Sequence, residues 1–214
     1  MEPAKLLKGT PKLPKENGPI LIIQLGDIGD VVLTLPAIEA LGKAFPTRSL
    51  VLCVREHARE LMEDCPKVHH VLSVNKQRRK FRAELDHQLQ FFRALRRYRC
   101  ALAIELRTGT RGAVIALLSG AHTRIARYAN DGTLWRNRVF THLVRPTREN
   151  IQYAAQHNLN IMAPFGLVET DPRPIISVSE RRRRKAEAIF LKARIPQDRP
   201  LVAVHPFSLW KYKE

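Results

Sequence analysis

Apolar residues along this chain come in short unbroken runs that alternate with segments of helical period. Residues 20–25, ILIIQL, predict a strand, and their nearly continuous apolar character suits one covered on both faces. Thr34 stands where it can cap a helix that holds Pro36 in its first turn and runs to about Phe45. Residues 49–54 predict a second strand, 56–64 a short helix and 70–74 a third strand. Residues 82–97 predict a long amphipathic helix, with Leu85, Leu89, Phe92 and Leu95 at helical spacing. A strand over 100–105, a helix over 112–118 and a short extended piece over 124–126 follow. A helix over 150–165 is closed by Pro164 and Gly166.

This alternation predicts an α/β fold, a Rossmann-like parallel sheet with helices on both faces. Residues 1–18, polar and rich in lysine and proline, are expected to form a flexible arm ahead of a domain over 19–170. The stretch ETDPRP, residues 169–174, has no periodicity and reads as a linker. Beyond it Ser179 can cap the helix ERRRRKAEAIFLKA, and residues 201–204 read as a new strand. Residues 171–214 are therefore expected to be the linker and beginning of a second, incomplete domain.

Charge changes the picture more than hydropathy does. Lys and Arg number 37 against 20 acidic residues, a formal net charge of +17. Such an excess points to an anionic partner, whether nucleic acid, acidic membrane or phosphorylated substrate, or serves solubility alone. No apolar segment precedes Ile20 as a signal peptide requires, and no run approaches the roughly 20 residues of a membrane span. Cys53, Cys65 and Cys100 are odd in number and widely spaced, which fits buried thiols in a reducing cytoplasm. The eight histidines have no zinc-protease spacing, so a metal site is not expected; no G-x-S-x-G elbow is present, and no cofactor is expected.

Four polar stretches carry candidate chemistry. GDIGD, residues 26–30, lies between the first strand and its helix, where parallel sheets bind ligands. Its G-x-x-G spacing lacks the further glycine of a dinucleotide loop and the lysine of a P-loop. Asp30 could accept a proton from a substrate hydroxyl, or Asp30 or Asp27 could cap the helix. ELRTGTRGA, residues 105–113, exits a second strand on the same rim and offers Arg107 and Arg111 to phosphate or carboxylate groups, unless both are merely solvated. ARYANDGTLWRNRV, residues 126–139, carries Arg127, Arg136 and Arg138 beside Trp135, a composition open to nucleic acid or a sugar phosphate. VAVHPFSLWKYKE, residues 202–214, ends in polar groups suited to a diphosphate.

Taken in order, these stretches resemble the family 9 glycosyltransferases, the ADP-heptose:lipopolysaccharide heptosyltransferases. Gly29, Asp30 and Pro36 match the family's strand, G-D-x-x-x-x-x-P loop and helix. FPTRSLVLCV resembles its next strand, YRCALAIELRTGTRGAVIALLSGAHTRIA its later strand and helix, and PLVAVHPFSLWKYKE the opening of its nucleotide-binding domain. The chain departs from the family at Glu105-Leu106-Arg107, where a D-L-q element is usual, and at Phe207, where H-P-G has its glycine.

The resemblance implies the GT-B architecture of two Rossmann-like domains, with the acceptor held by the first and the nucleotide-sugar by the second. It implies inverting transfer of heptose from ADP-heptose to a lipopolysaccharide core or lipid A-type acceptor, without metal, at the anionic inner face of the cytoplasmic membrane. Asp30 would then be the catalytic base and Lys213, with Lys211 as its competitor, the group that stabilises the departing diphosphate. His205 and Ser208 would contact the donor phosphates, while Gly29, Arg107, Arg111, Arg136 and Arg138 would hold the acceptor. With its donor domain incomplete, the chain is expected to be inactive alone. Two other readings stay open, a basic nucleic-acid-binding module and a non-catalytic acceptor-binding scaffold; under the leading one no nucleic acid partner is expected.

Overall fold

The apolar runs do pair. In the computed structural model, which describes residues 4–13, 17–75, 81–130, 135–145, 153–167, 171–196 and 199–204, β2 (Ile20–Gln24) lies at the centre of a sheet. It is hydrogen-bonded in parallel register to β3 (Leu50–Arg55) on one side and to β5 (Leu102–Glu105) on the other. β4 (His70–Val74) extends the sheet beyond β3, and β6 (Thr123–Arg127) and β7 (His142–Arg145) extend it beyond β5, all parallel. Antiparallel β1 (Lys5–Lys8) closes the β7 edge, giving the order β1-β7-β6-β5-β2-β3-β4 among the described residues.

Alternation along the strands divides two cores, one per face. Ile20, Ile22, Leu50, Leu52 and Val54 point to one face, with α2 (Leu35–Ala44), α3 (Glu56–Met62) and α7 (Ala154–Asn160) supplying Ile38, Leu41, Met62 and Leu159. Leu21, Ile23, Val51 and Cys53 point to the other, where α4 (Phe81–Arg97) and α5 (Thr110–Leu118) supply Leu95, Ala113, Ile115 and Ala116. β2 is buried throughout because both faces are covered, as its unbroken apolar sequence requires. At about 1.5–3 kcal/mol for each fully buried Ile or Leu, this central strand is a large part of the stability.

Four elements differ from the sequence expectation. The presumed arm contributes β1 and packs Ala4, Leu6 and Leu13 against the core. Thr34 takes the N-cap position of α2 in a helical backbone conformation and makes no side-chain cap: its hydroxyl oxygen accepts instead from Gln24 Nε2 at 3.0 Å, while its O–H donates to the Asp30 carbonyl at 2.9 Å. The helix expected over 150–165 is confined to α7 and a single 3-10 turn, Ala163–Phe165, that ends at Gly166 with φ +75°; residues 150–152 lie outside the described ones. Residues 201–204 are exposed and not in a ladder, since a strand forms only where neighbours pair its backbone groups, and no such neighbour occurs among the described residues.

The chain divides into two compact units, Met1–Ser177 and Val178–Glu214. The second contains α8 (Glu180–Lys192), which follows Ser179 at the N-cap position and buries none of its own side chains. Its exposed arginines are partly paired along the helix, Arg184 to Glu180 at 3.0 Å.

Candidate active site

The chain runs outward from β2 through β3 to β4 and then returns to β5 on the other side of β2, so strand order reverses there. That is the crevice where open α/β sheets bind ligands, beyond the carboxyl ends of the strands. Two of the four polar stretches, residues 26–30 and 105–113, leave β2 and β5 into it.

β2 ends on Gln24, only 2% exposed, whose amide braces the loop. Its Nε2 donates to Thr34 Oγ1 at 3.0 Å and its Oε1 accepts from the Gly26 N–H at 3.2 Å. The chain then starts a one-turn helix, α1 (Ile28–Val32), with Asp27 extended at the N-cap position and Asp30 third in the helix. Asp30 Oδ2 accepts the Asp27 N–H at 3.1 Å, one half of a capping box, and also pairs with the Arg107 guanidinium. Asp27 meanwhile accepts from Arg55, at the end of β3, at 2.8 Å. Each acid of the loop thus has an arginine from a neighbouring strand exit. A Cβ on Gly26 would run into the Asp30 carboxylate and the Arg107 guanidinium, so glycine is needed there for close approach.

Arg107 divides two clefts. One is lined by Gln24, Asp30, Leu33, Arg127, His157 and Asn158. Asn158 reaches from α7 to the Leu33 carbonyl at 3.0 Å, which ties that helix to the loop. The other is lined by Arg55, Arg107, Gly109, Thr110, Arg111 and buried Glu105. Burial lowers the Arg111 pKa, opposed chiefly by the nearby Cys53 and Glu84.

Behind Arg107 the wall is rigid. Glu105 and Arg136 are each 1% exposed and joined at 2.6 Å. Arg136 also donates to the main-chain carbonyls of Arg107 and Arg127, both at 2.9 Å, and to Asn137 Oδ1 at 3.0 Å. Burial pushes the Glu105 carboxyl up to about 8, although Arg136 pulls the other way. A Cβ on Gly112 would strike that carboxylate, so glycine is what lets α5 close on β5.

The structure therefore brings Asp30 together with Arg107 and places Arg111 in the adjoining cleft. Gly29 is exposed, with open space where a Cβ would stand. Arg138 is exposed and lines neither cleft. Arg136 is a correction: it is enclosed in the fold, its guanidinium turned inward to Glu105, and cannot reach an acceptor. His205, Ser208, Lys211 and Lys213 lie outside the described residues. Sequence reasoning missed Gln24, Arg55, His157 and Asn158. Gln24 and Arg55 carried a signal, since each is the polar residue that ends an apolar strand; His157 and Asn158 carried none.

No family profile matches the chain. Lipopolysaccharide heptosyltransferase 3 of Escherichia coli is 22% identical over 141 residues, 65% of this chain and 40% of that protein. Among solved structures, a family 9 glycosyl transferase from Veillonella parvula aligns with a TM-score of 0.73 at 20% identity, over 88% of this chain and 53% of that one. The E. coli ADP-heptose lps heptosyltransferase II aligns at 0.62 and 15% identity, over 85% and 52%. The chain spans about half the length of these relatives. The resemblance to family 9 glycosyltransferases read from the sequence is thus found in its fold and, along the aligned stretch, in its residues.

Proposed function

We propose, taking this likeness to family 9 glycosyltransferases as the premise, that the chain is the acceptor-binding part of an inverting heptosyltransferase. Its reaction would move heptose from ADP-heptose to a lipopolysaccharide core or lipid A-type acceptor. The observation that carries the reading is the half-exposed carboxylate of Asp30, held at the strand-order reversal with both its clamps on Oδ2. Oδ1 is then the oxygen that takes the proton of the acceptor hydroxyl. As that proton leaves, the acceptor oxygen bonds to the anomeric carbon from the face opposite ADP. The sugar–phosphate bond breaks, ADP departs with the electron pair and the configuration inverts.

The space above Gly29 admits the acceptor, Arg107 and Arg111 in the clefts attract its anionic groups, and exposed Arg138 adds to the basic surface outside them. Residues 171–214 begin the nucleotide-sugar domain. There Lys213 opposes the diphosphate charge, and His205 and Ser208 contact the phosphates, roles that rest on the resemblance alone. Catalysis needs no metal, and the basic surface holds the enzyme to the inner face of the cytoplasmic membrane.

Heptose transfer from radiolabelled ADP-heptose to heptose-deficient lipopolysaccharide, in a form carrying a complete donor-binding domain, tests the assignment. Asp30→Ala is expected to lower the rate by about 10²–10⁴-fold, far more than the loss of about 0.5–2 kcal/mol of stability that removing its capping interaction explains. Unchanged transfer would reduce Asp30 to a helix cap.

A further inference from the structure

Arg107 lines both clefts at the carboxyl end of the sheet, and the two sides ask different things of it. Toward α7 its guanidinium pairs with Asp30. Toward α5 it joins Arg55 and Arg111 around one cleft, where three guanidiniums face few acids. Arg55 is itself paired with Asp27 in a solvent-exposed contact, Glu105 in the cleft lining is held by Arg136, and Glu84 acts on Arg111 from α4. The base of the Arg107 side chain is anchored, because Arg136 grips its carbonyl and Leu106 N–H donates to the Ile23 carbonyl at 3.1 Å. Its head is 47% exposed and Asp30 is 45% exposed. A pair that wet is worth roughly a twofold to fivefold factor against a competing anion. The chain thus has a fixed pivot, a weakly held cation and a second, more basic place for it to go.

We propose that Arg107 is an exchangeable counter-ion, paired with Asp30 when the clefts are empty and drawn to a phosphate group that binds between Arg55 and Arg111. Phosphate is the chemistry favoured over a carboxylate, since a dianion with three acceptor oxygens can engage several guanidinium forks at once. Where Asp30 is the base, a reading this consequence rests on, arrival of a phosphorylated acceptor removes one of the two clamps on its carboxylate. The acceptor's own charge then readies the group that deprotonates it.

Calorimetric titration of the native chain and its variants with inorganic phosphate tests the exchange without any need for transferase activity. Arg107→Gln should weaken binding by about tenfold. Asp30→Asn should tighten it roughly twofold to fivefold, because phosphate no longer competes for the guanidinium. That gain should vanish in the Asp30→Asn/Arg107→Gln double variant, whereas a general field effect of the lost charge would persist there. Thermal unfolding of each variant checks that both exposed substitutions leave the fold intact. Glucose 1-phosphate and phosphatidic acid vesicles identify the carrier: binding of either that depends on Arg107 supports the exchange. Undetectable phosphate binding, affinity unchanged in Arg107→Gln, or a gain that survives in the double variant overturns it. Failure of the Asp30→Ala transfer assay would leave this result standing, so the two readings fail separately.

Discussion

At the scale of single residues, the most instructive side chain is Arg136. Its sequence setting, a basic stretch beside Trp135, is that of a ligand-binding loop, yet the side chain is buried against Glu105 and two carbonyls. Local composition is the same for an arginine that faces solvent and one that turns inward; the deciding partner is 31 residues away. Arg136→Ala leaves the Glu105 carboxyl and the Arg107 and Arg127 carbonyls without their buried donor, and should cost about 3–5 kcal/mol in urea unfolding. Glu105 gives a prediction in pH. Folding raises its carboxyl from the ordinary 4.5 to about 8, so between those values the folded chain keeps a proton that the unfolded chain has lost. The stability from this group is complete below about 4.5 and declines as pH rises toward 8. Glu105→Gln should flatten that decline, measured as urea midpoints from pH 5 to 8.

At the scale of elements, the long periodic pieces were legible and the short ones were not. The strand expected over 70–74 and the helix expected over 82–97 appear as β4 and α4 within a residue. β1, β7 and α6 (Arg136–Val139) are four residues each, too short for periodicity to separate them from loop. They form because edges and neighbours satisfy their backbones. α1 escaped notice for a different reason: its one turn is held by the Asp27–Asp30 capping interaction, which also serves the site, so capping and a place in the cleft were not alternatives. The seat of α5 on β5 supplies the prediction for this scale. Gly112→Ala drives a methyl into the Glu105 carboxylate and should destabilise by about 1–3 kcal/mol. In a Glu105→Asp background, with the carboxylate drawn back, the same substitution should cost distinctly less, as read by a double-mutant cycle in urea.

At the scale of the whole molecule, charge and topology answer different questions. The net +17 speaks of an anionic partner without naming it, and no helix among the described residues is long and apolar enough to cross a membrane. If the proposed acceptor is the partner, lipid A-type micelles should bind and duplex DNA of equal charge concentration should bind far less, across a salt series. Tight, salt-steep DNA binding with no effect of the micelles would favour a nucleic-acid module instead. The sequence by itself determined the α/β class, the central strands, the two polar strand exits and the likeness to family 9. Those depend on local pattern: apolar runs long enough to be covered on both faces, and motifs kept in order along the chain. Only the tertiary structure decided which arginine faces the cleft and which the core, and that Asp30 meets Arg107 across 77 residues of sequence. Strand order brings those side chains together, and the pairing of β2 with β5 exists only once the sheet has formed.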